Sequence, residues 1–282
     1  LLKQRILTAA VLAPLVVAGI FYLPFEMFVG AIAIVTLLGH WEWTKFVTPL
    51  SRIKHFITPA ILLAVSLVAL PFDVSSLNLV VSGATAVALI GALWWLLASG
   101  MVLSYPNKTA WWRDSGVMRQ VFGVLTLLPF MWSVLYLRAQ EYNVDSLMGA
   151  KLVLLVCLLV WSADSGAYFA GKRFGKRKMA PNVSPNKTIE GLLGGMLAAM
   201  VVTVTFADLL DIPFSSLPVL GLIALVTAFA SVLGDLAESM FKRVAGVKDS
   251  GNILPGHGGI LDRIDSLTAA FPVFTVMYSL LS

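Results

Sequence analysis

Leu217-Pro-Val-Leu-Gly-Leu-Ile-Ala-Leu-Val-Thr-Ala-Phe-Ala-Ser-Val-Leu-Gly234 runs for 18 residues without an ionisable side chain and then meets Asp235, Glu238 and Lys242. As a helix rising about 1.5 Å per residue it extends about 27 Å, close to the roughly 30 Å of a bilayer's hydrocarbon core. Working outward, apolar runs between polar breaks give nine candidate spans, near 6-23, 27-43, 56-71, 79-103, 121-137, 150-170, 189-208, 217-236 and 264-281. Composition agrees: 59% of the 282 residues are hydrophobic and 12% charged, against about 25% charged in an average soluble domain. The mean hydropathy is +0.89. The fold class expected is an all-α, polytopic membrane helix bundle forming one domain over 1-282; a soluble enzyme and a disordered chain are excluded.

Nine crossings put the termini on opposite sides, and the basic residues then segregate. Lys3, Arg5, Lys45, Arg52, Lys54, Lys108, Arg113, Arg119 and the later clusters 172-187 and 242-263 share one side, 18 of the 20 Lys and Arg, leaving Arg138 and Lys151 opposite. The positive-inside rule makes that side, with the N-terminus, cytoplasmic. Lys3 and Arg5 before an apolar run also have the form of a signal peptide, but the length of that run and the eight spans after it favour a retained first helix. Trp41, Trp43, Trp111 and Trp112 fall where spans meet cytoplasmic loops and read as an interfacial belt. Gly191, Gly195 and Ala199, four apart, suit close helix packing and a dimer contact. Cys157 sits in an apolar run as a small core hydrophobe.

Ionisable groups in or at the mouth of a span are costly, and they concentrate between 160 and 266. Asp164, Tyr168 and Lys172 share one helical face, a polar ladder into the membrane. It serves either an ion or substrate site, or a structural pairing of Asp164. Ser184-Pro185 reads as an N-cap and first-turn proline opening the seventh span, with backbone N–H groups and Lys187 ready for an anion and Glu190 in the same turn. Asp235, Glu238, Ser239 and Lys242 occupy one helical stripe; Glu238 and Lys242 make a favourable i,i+4 pair, which leaves Asp235 unexplained. Lys248, Asp249 and the flexible segment Pro255-Gly256-His257-Gly258-Gly259 lead to Asp262, Arg263 and Asp265, the two acids sharing a face. Hard oxygen donors beside bases and glycines suit magnesium bound to phosphates. One Cys and three scattered His give no zinc cluster. Nucleic acid is not expected, because topology accounts for the basic residues.

Ser239-Met240-Phe241-Lys242-Arg243, Lys248-Asp249 and His257-Gly-Gly-Ile-Leu-Asp262-Arg263-Ile-Asp265 together resemble, over 27 consecutive positions, the signature of phosphatidate cytidylyltransferases, also called CDP-diacylglycerol synthases. Ser162-Ala-Asp-Ser-Gly-Ala-Tyr168, Ser184-Pro-Asn-Lys-Thr-Ile-Glu-Gly191 and Gly234-Asp235 resemble the same family, whereas the first 150 residues do so in hydropathy alone. The resemblance implies a homodimeric membrane enzyme that joins CTP to phosphatidic acid, giving CDP-diacylglycerol and pyrophosphate. It further implies Mg2+ on Asp235 and Asp262, with a monovalent cation such as K+ sharing the site. Lys187, Lys242, Arg243, Lys248, His257 and Arg263 would hold phosphates; Asp164, Ser184, Glu190, Glu238, Ser239, Asp249, Gly258, Gly259 and Asp265 would complete the substrate site. A cleft between spans six to nine, open to cytoplasm and lipid, is expected. The rival readings are a cation-coupled transporter using Asp164, Asp235 and Asp265, a CDP-alcohol transferase, whose paired acidic motif is absent, and a noncatalytic scaffold.

Overall fold

The computed structural model describes the backbone at residues 2–48, 51–69, 77–254, 256 and 258–282, with side chains described throughout these except at 2–9 and 77–82. Helices α1 (Leu2–Tyr22), α2 (Phe25–Val47), α3 (Arg52–Ala69), α4 (Leu77–Ser104), α5 (Ala110–Arg113), α6 (Gly116–Ala139) and α7 (Met148–Phe174) precede a hairpin of β1 (Lys178–Ala180) and β2 (Ser184–Thr188). Then come α8 (Ile189–Leu209), α9 (Leu217–Ala245) and α10 (Leu261–Leu281). Among the described residues, eight helices are long and apolar enough to cross a membrane, and Ala10–Tyr22 of α1 is a shorter apolar helix. The chain is an all-α polytopic membrane protein; among the described residues nine helices of 18 residues or more overlap the nine runs in the sequence, eight of them long and apolar enough to span.

Helix α6 is the centre of the bundle. Phe130, Met131, Trp132, Leu135 and Leu137 are almost wholly enclosed, and the helix packs on α2, α4, α7 and α10. Helix α3 is peripheral: Ile57, Ile61, Val65 and Val68, three or four apart, face outward, as a lipid-facing stripe should. Where α7 crosses α8 the backbones nearly touch. A Cβ added to Gly195 would lie 2.6 Å from the Ala163 carbonyl oxygen, and one on Gly191 would lie 2.9 Å from that of Ala167. Ala199 is fully enclosed. The small-residue stripe is therefore used inside the chain, where it brings together the two helices that carry much of the polar sequence.

Two local expectations are corrected. Ser184 does not cap a helix. It pairs with Ala180, and Thr188 with Lys178, in the antiparallel hairpin, while the Ile189 amide donates to the Arg177 carbonyl at 2.9 Å. The N-cap of α8 is Thr188, whose hydroxyl accepts from the Gly191 amide at 3.1 Å. Pairing with β1 outweighs the Ser-Pro preference and moves the helix start by a turn. Nor do all four tryptophans form a belt. Trp112 is fully enclosed and meets Phe241 edge-on; Trp43 is 3% exposed and donates its indole N–H to the Arg119 carbonyl at 2.8 Å. Both are core residues, and Trp111 remains half exposed.

Candidate active site

A cleft of about 550 Å³ opens between α7, the hairpin, α8 and α9. Helix α7 supplies Asp164, Tyr168 and Lys172 one turn apart, so the ladder expected from helical spacing forms one wall. The hairpin supplies Ser184, Asn186 and Lys187, and α9 supplies Asp235. Lys187 and Asp235 form an ion pair, and the Ser239 hydroxyl donates to Asp235 Oδ1 at 3.3 Å, one turn along α9. Asp164 lies within electrostatic reach of Asp235, Lys187 and Arg263. Asp265 is within reach of Asp235, Asp164 and Lys242. Acids from three helices thus share a neighbourhood with bases from the hairpin, α9 and α10, and Gly234 permits it: a Cβ there would stand 3.0 Å from the Asp265 carbonyl oxygen.

Beside this cluster lies a second, more enclosed one. Lys242 Nζ is 3.0 Å from Glu238 Oε1 and 2.9 Å from Asp262 Oδ1, with side chains only 14%, 5% and 7% exposed. Asp262 also accepts from the Ser250 amide at 3.0 Å and the Gly259 amide at 2.8 Å, so it fixes the α9–α10 loop at two places. Gly258 has φ +82°, where L side chains are disfavoured, and its added Cβ would lie 2.7 Å from Asp262 Oδ2. Lys248 and Asp249 are exposed on that loop, as is Arg263 at the start of α10. Arg243 reaches back to the hairpin, where its Nε–H donates to the Val183 carbonyl at 3.2 Å. His257 lies outside the described residues.

Glu190 has an internal role. Its carboxylate accepts from the amides of Lys176 and Arg177 at 3.0 and 3.1 Å and from the Arg177 guanidinium at 3.2 Å, tying the chain after α7 to the first turn of α8. Glu42, on α2, carries no motif that marks it in the sequence. It is 1% exposed, and its Oε2 accepts from the Leu261 amide at 2.8 Å and the Ser250 hydroxyl at 3.2 Å.

Hard-cation chemistry can be tested against these donors. Among the described residues, no group of three or more His, Cys, Asp or Glu is gathered closely enough to hold a metal by protein ligands alone. An ionised carboxylate offers about four acceptor positions; on Asp262, Lys242 and two amides take most of them. Asp235 keeps oxygen capacity on the cleft wall, near Asp164. The set suits an ion bound by one or two carboxylates plus substrate phosphates and water, which is the habit of magnesium.

Comparisons with known proteins agree with the motifs. The chain is 42% identical to the phosphatidate cytidylyltransferase of Haemophilus influenzae, over 99% of both chains. It is 43% identical to that of Pseudomonas aeruginosa, over 98% of this chain and 97% of that one. The Bacillus subtilis protein of the same name is 48% identical over 50% of this chain and 51% of its own. The family model for cytidylyltransferases matches residues 3–281, covering the N-terminal helices as well as the polar end, and the chain belongs to the cytidylyltransferase family.

Proposed function

We propose that the chain transfers the cytidylyl group of CTP to phosphatidic acid, releasing pyrophosphate and leaving CDP-diacylglycerol in the membrane. The observation that carries this reading is the cleft where Lys187 of β2 meets Asp235 of α9 with Asp164 and Lys172 opposite. It presents acids and bases together at the end of the bundle where the basic loops gather. A phosphomonoester has a second pKa of about 6, so near neutrality it is already a competent nucleophile. Its oxygen attacks the α-phosphorus of CTP, a new P–O–P bond forms, and the α–β P–O bond breaks with its electron pair leaving on pyrophosphate. What the protein must do is hold two polyanions in line against their repulsion.

Lys187, Lys172 and Arg263 would neutralise phosphate oxygens from different sides, and Lys187 would exchange its carboxylate partner for phosphate when substrate arrives. Asp235 would hold Mg2+, with Asp164 beside it, and Asp262 would join it through the acceptor capacity that Lys242 and the two amides leave, with a monovalent cation nearby; when bound, the divalent ion supplies charge neutralisation and orientation of the phosphates. The basic loops and this cleft would face the cytoplasm, where CTP is dissolved, and the active form would be a homodimer. The transporter alternative finds no support in the family.

The test is purified protein with labelled CTP, phosphatidic acid and magnesium, scored for lipid-extractable cytidine. Product that disappears on chelation and returns with added magnesium is expected. No cytidine lipid from any phosphatidic acid, in detergent or in vesicles, would overturn the proposal.

A further inference from the structure

The first 150 residues carry none of the motifs on which the resemblance rests, yet one of their side chains reaches the α9–α10 loop. We infer that Glu42 is a positioning residue for the nucleotide site, holding that loop in the shape that delivers Asp262 to Lys242. The inference rests on the function proposed above and concerns a residue that touches no substrate in it.

Ser250 is fully enclosed and is held by two acids at once. Its hydroxyl donates to Glu42 Oε2 at 3.2 Å, across 208 residues of sequence, and its amide donates to Asp262 Oδ2 at 3.0 Å. The same Glu42 oxygen accepts the Leu261 amide at 2.8 Å, the residue immediately before Asp262. Glu42 therefore grips both ends of the loop, and Asp262 is bonded to the gripped segment at Ser250 and Gly259. The wrapping is tight. A Cβ on either Gly251 or Gly259 would collide with the Glu42 carboxylate, so these glycines bring the loop's backbone against it.

The platform is enclosed, whereas the tip of the loop is open to solvent. Trp43, Phe46 and Val47 around Glu42 are at most 3% exposed, whereas Asn252 and Ile253 at the loop's tip are exposed. An enclosed carboxylate costs several kcal/mol to desolvate, and an apolar side chain of similar volume fills space at lower cost. What only an acceptor supplies is a fixed point for the amide and hydroxyl that define the approach of Asp262. A misplacement of about 1 Å at a reacting centre costs about 100-fold in rate, so a slack loop would be felt in turnover.

The test compares full-length wild type, Glu42→Ala, Glu42→Gln and Ser250→Ala in detergent. Hydrogen–deuterium exchange is read on 246–260 and on α6, thermal melting is recorded, and kinetics are measured per folded protein. We expect faster exchange in the loop with α6 unchanged, and about a 100-fold fall in kcat/KM for CTP in Glu42→Ala. Glu42→Gln, which keeps an acceptor, recovers part of it, and the Glu42→Ala, Ser250→Ala double variant is no worse than Glu42→Ala alone. Unchanged loop exchange, or activity that falls only in proportion to folded protein, would overturn the inference. If Glu42→Ala does not fold, Glu42→Gln and Ser250→Ala decide it by the same readings. A wild-type chain that makes no cytidine lipid would overturn the proposed reaction instead, and the exchange data separate the two failures.

Discussion

Lys242 Nζ lies 2.9 Å from Asp262 Oδ1, joining the last third of α9 to the first turn of α10. The same ammonium is 3.0 Å from Glu238 on its own helix. One cation thus bridges two enclosed acids and ties together the two helices that carry most of the family signature.

Removing that cation should be felt first in stability. Breaking a buried ion pair from one side typically costs about 3–5 kcal/mol, because the acids left behind have lost their counter-charge. Lys242→Met is expected to lower the melting temperature in detergent by several degrees and to abolish cytidine-lipid formation. Adding Glu238→Gln to it should restore part of the melting temperature and none of the activity. Melting curves of the two variants that coincide with wild type would show the pair to be energetically idle.

The Lys187–Asp235 pair should behave in the opposite way. Its side chains are about a quarter exposed, 26% and 27%, and ion pairs in such wet settings contribute about 0–1 kcal/mol. Asp235→Asn is expected to melt within a degree or two of wild type while losing at least about 100-fold in turnover. Wild-type turnover in Asp235→Asn would remove that residue from the magnesium proposal; the same outcome in Asp262→Asn would remove the other.

Two glycines with positive φ separate backbone strain from local crowding. Gly246, φ +69°, ends α9 with open space around it, so Gly246→Ala should cost about 1 kcal/mol in stability and leave activity in place. Gly258, φ +82°, has Asp262 Oδ2 where a Cβ would go. Gly258→Ala should displace Asp262 and reduce kcat as severely as a substitution of Asp262 itself. Equal kinetics for the two alanine variants would contradict the geometry.

The nucleophile sets a pH dependence. With a second pKa of about 6, each pH unit below that value removes roughly nine-tenths of the phosphatidate dianion. The value of kcat/KM for phosphatidic acid should therefore rise with pH through about 6 and level off above it. A profile that falls over this interval would point to a protonated group on the lipid as the reactive form.

Much of this arrangement is written locally in the sequence. The uncharged runs place the spans because burial of about 18–20 apolar residues is a property of each segment alone. Spacings of three and four put Asp164 with Tyr168 and Lys172, and Glu238 with Lys242, because a helix enforces those neighbours whatever surrounds it. The start of α8 was not legible from Ser184 and Pro185, since the register of a short hairpin, Lys178 against Thr188, is decided by two strands together. Trp43 and Trp112 look interfacial by position, yet α9 brings Phe241 against both of them. Glu42 left no local trace at all: its partners Ser250 and Leu261 lie 208 and 219 residues away, and a single acid near the end of an apolar helix has the same spelling whether it meets water or a loop.

The near-touching backbones of α7 and α8 bear on how such a chain can diverge. At Gly166, Gly194 and Gly195 even a methyl group would run into the neighbouring helix, so drift at that seam is closed off. Leu193, Leu197 and Val201, on the outward face of α8, can exchange freely among greasy side chains. Over long descent the seam should stay frozen while the surface beside it is rewritten, and a lineage adapting to thicker or more fluid membranes would record the change on that outer face and leave the seam alone.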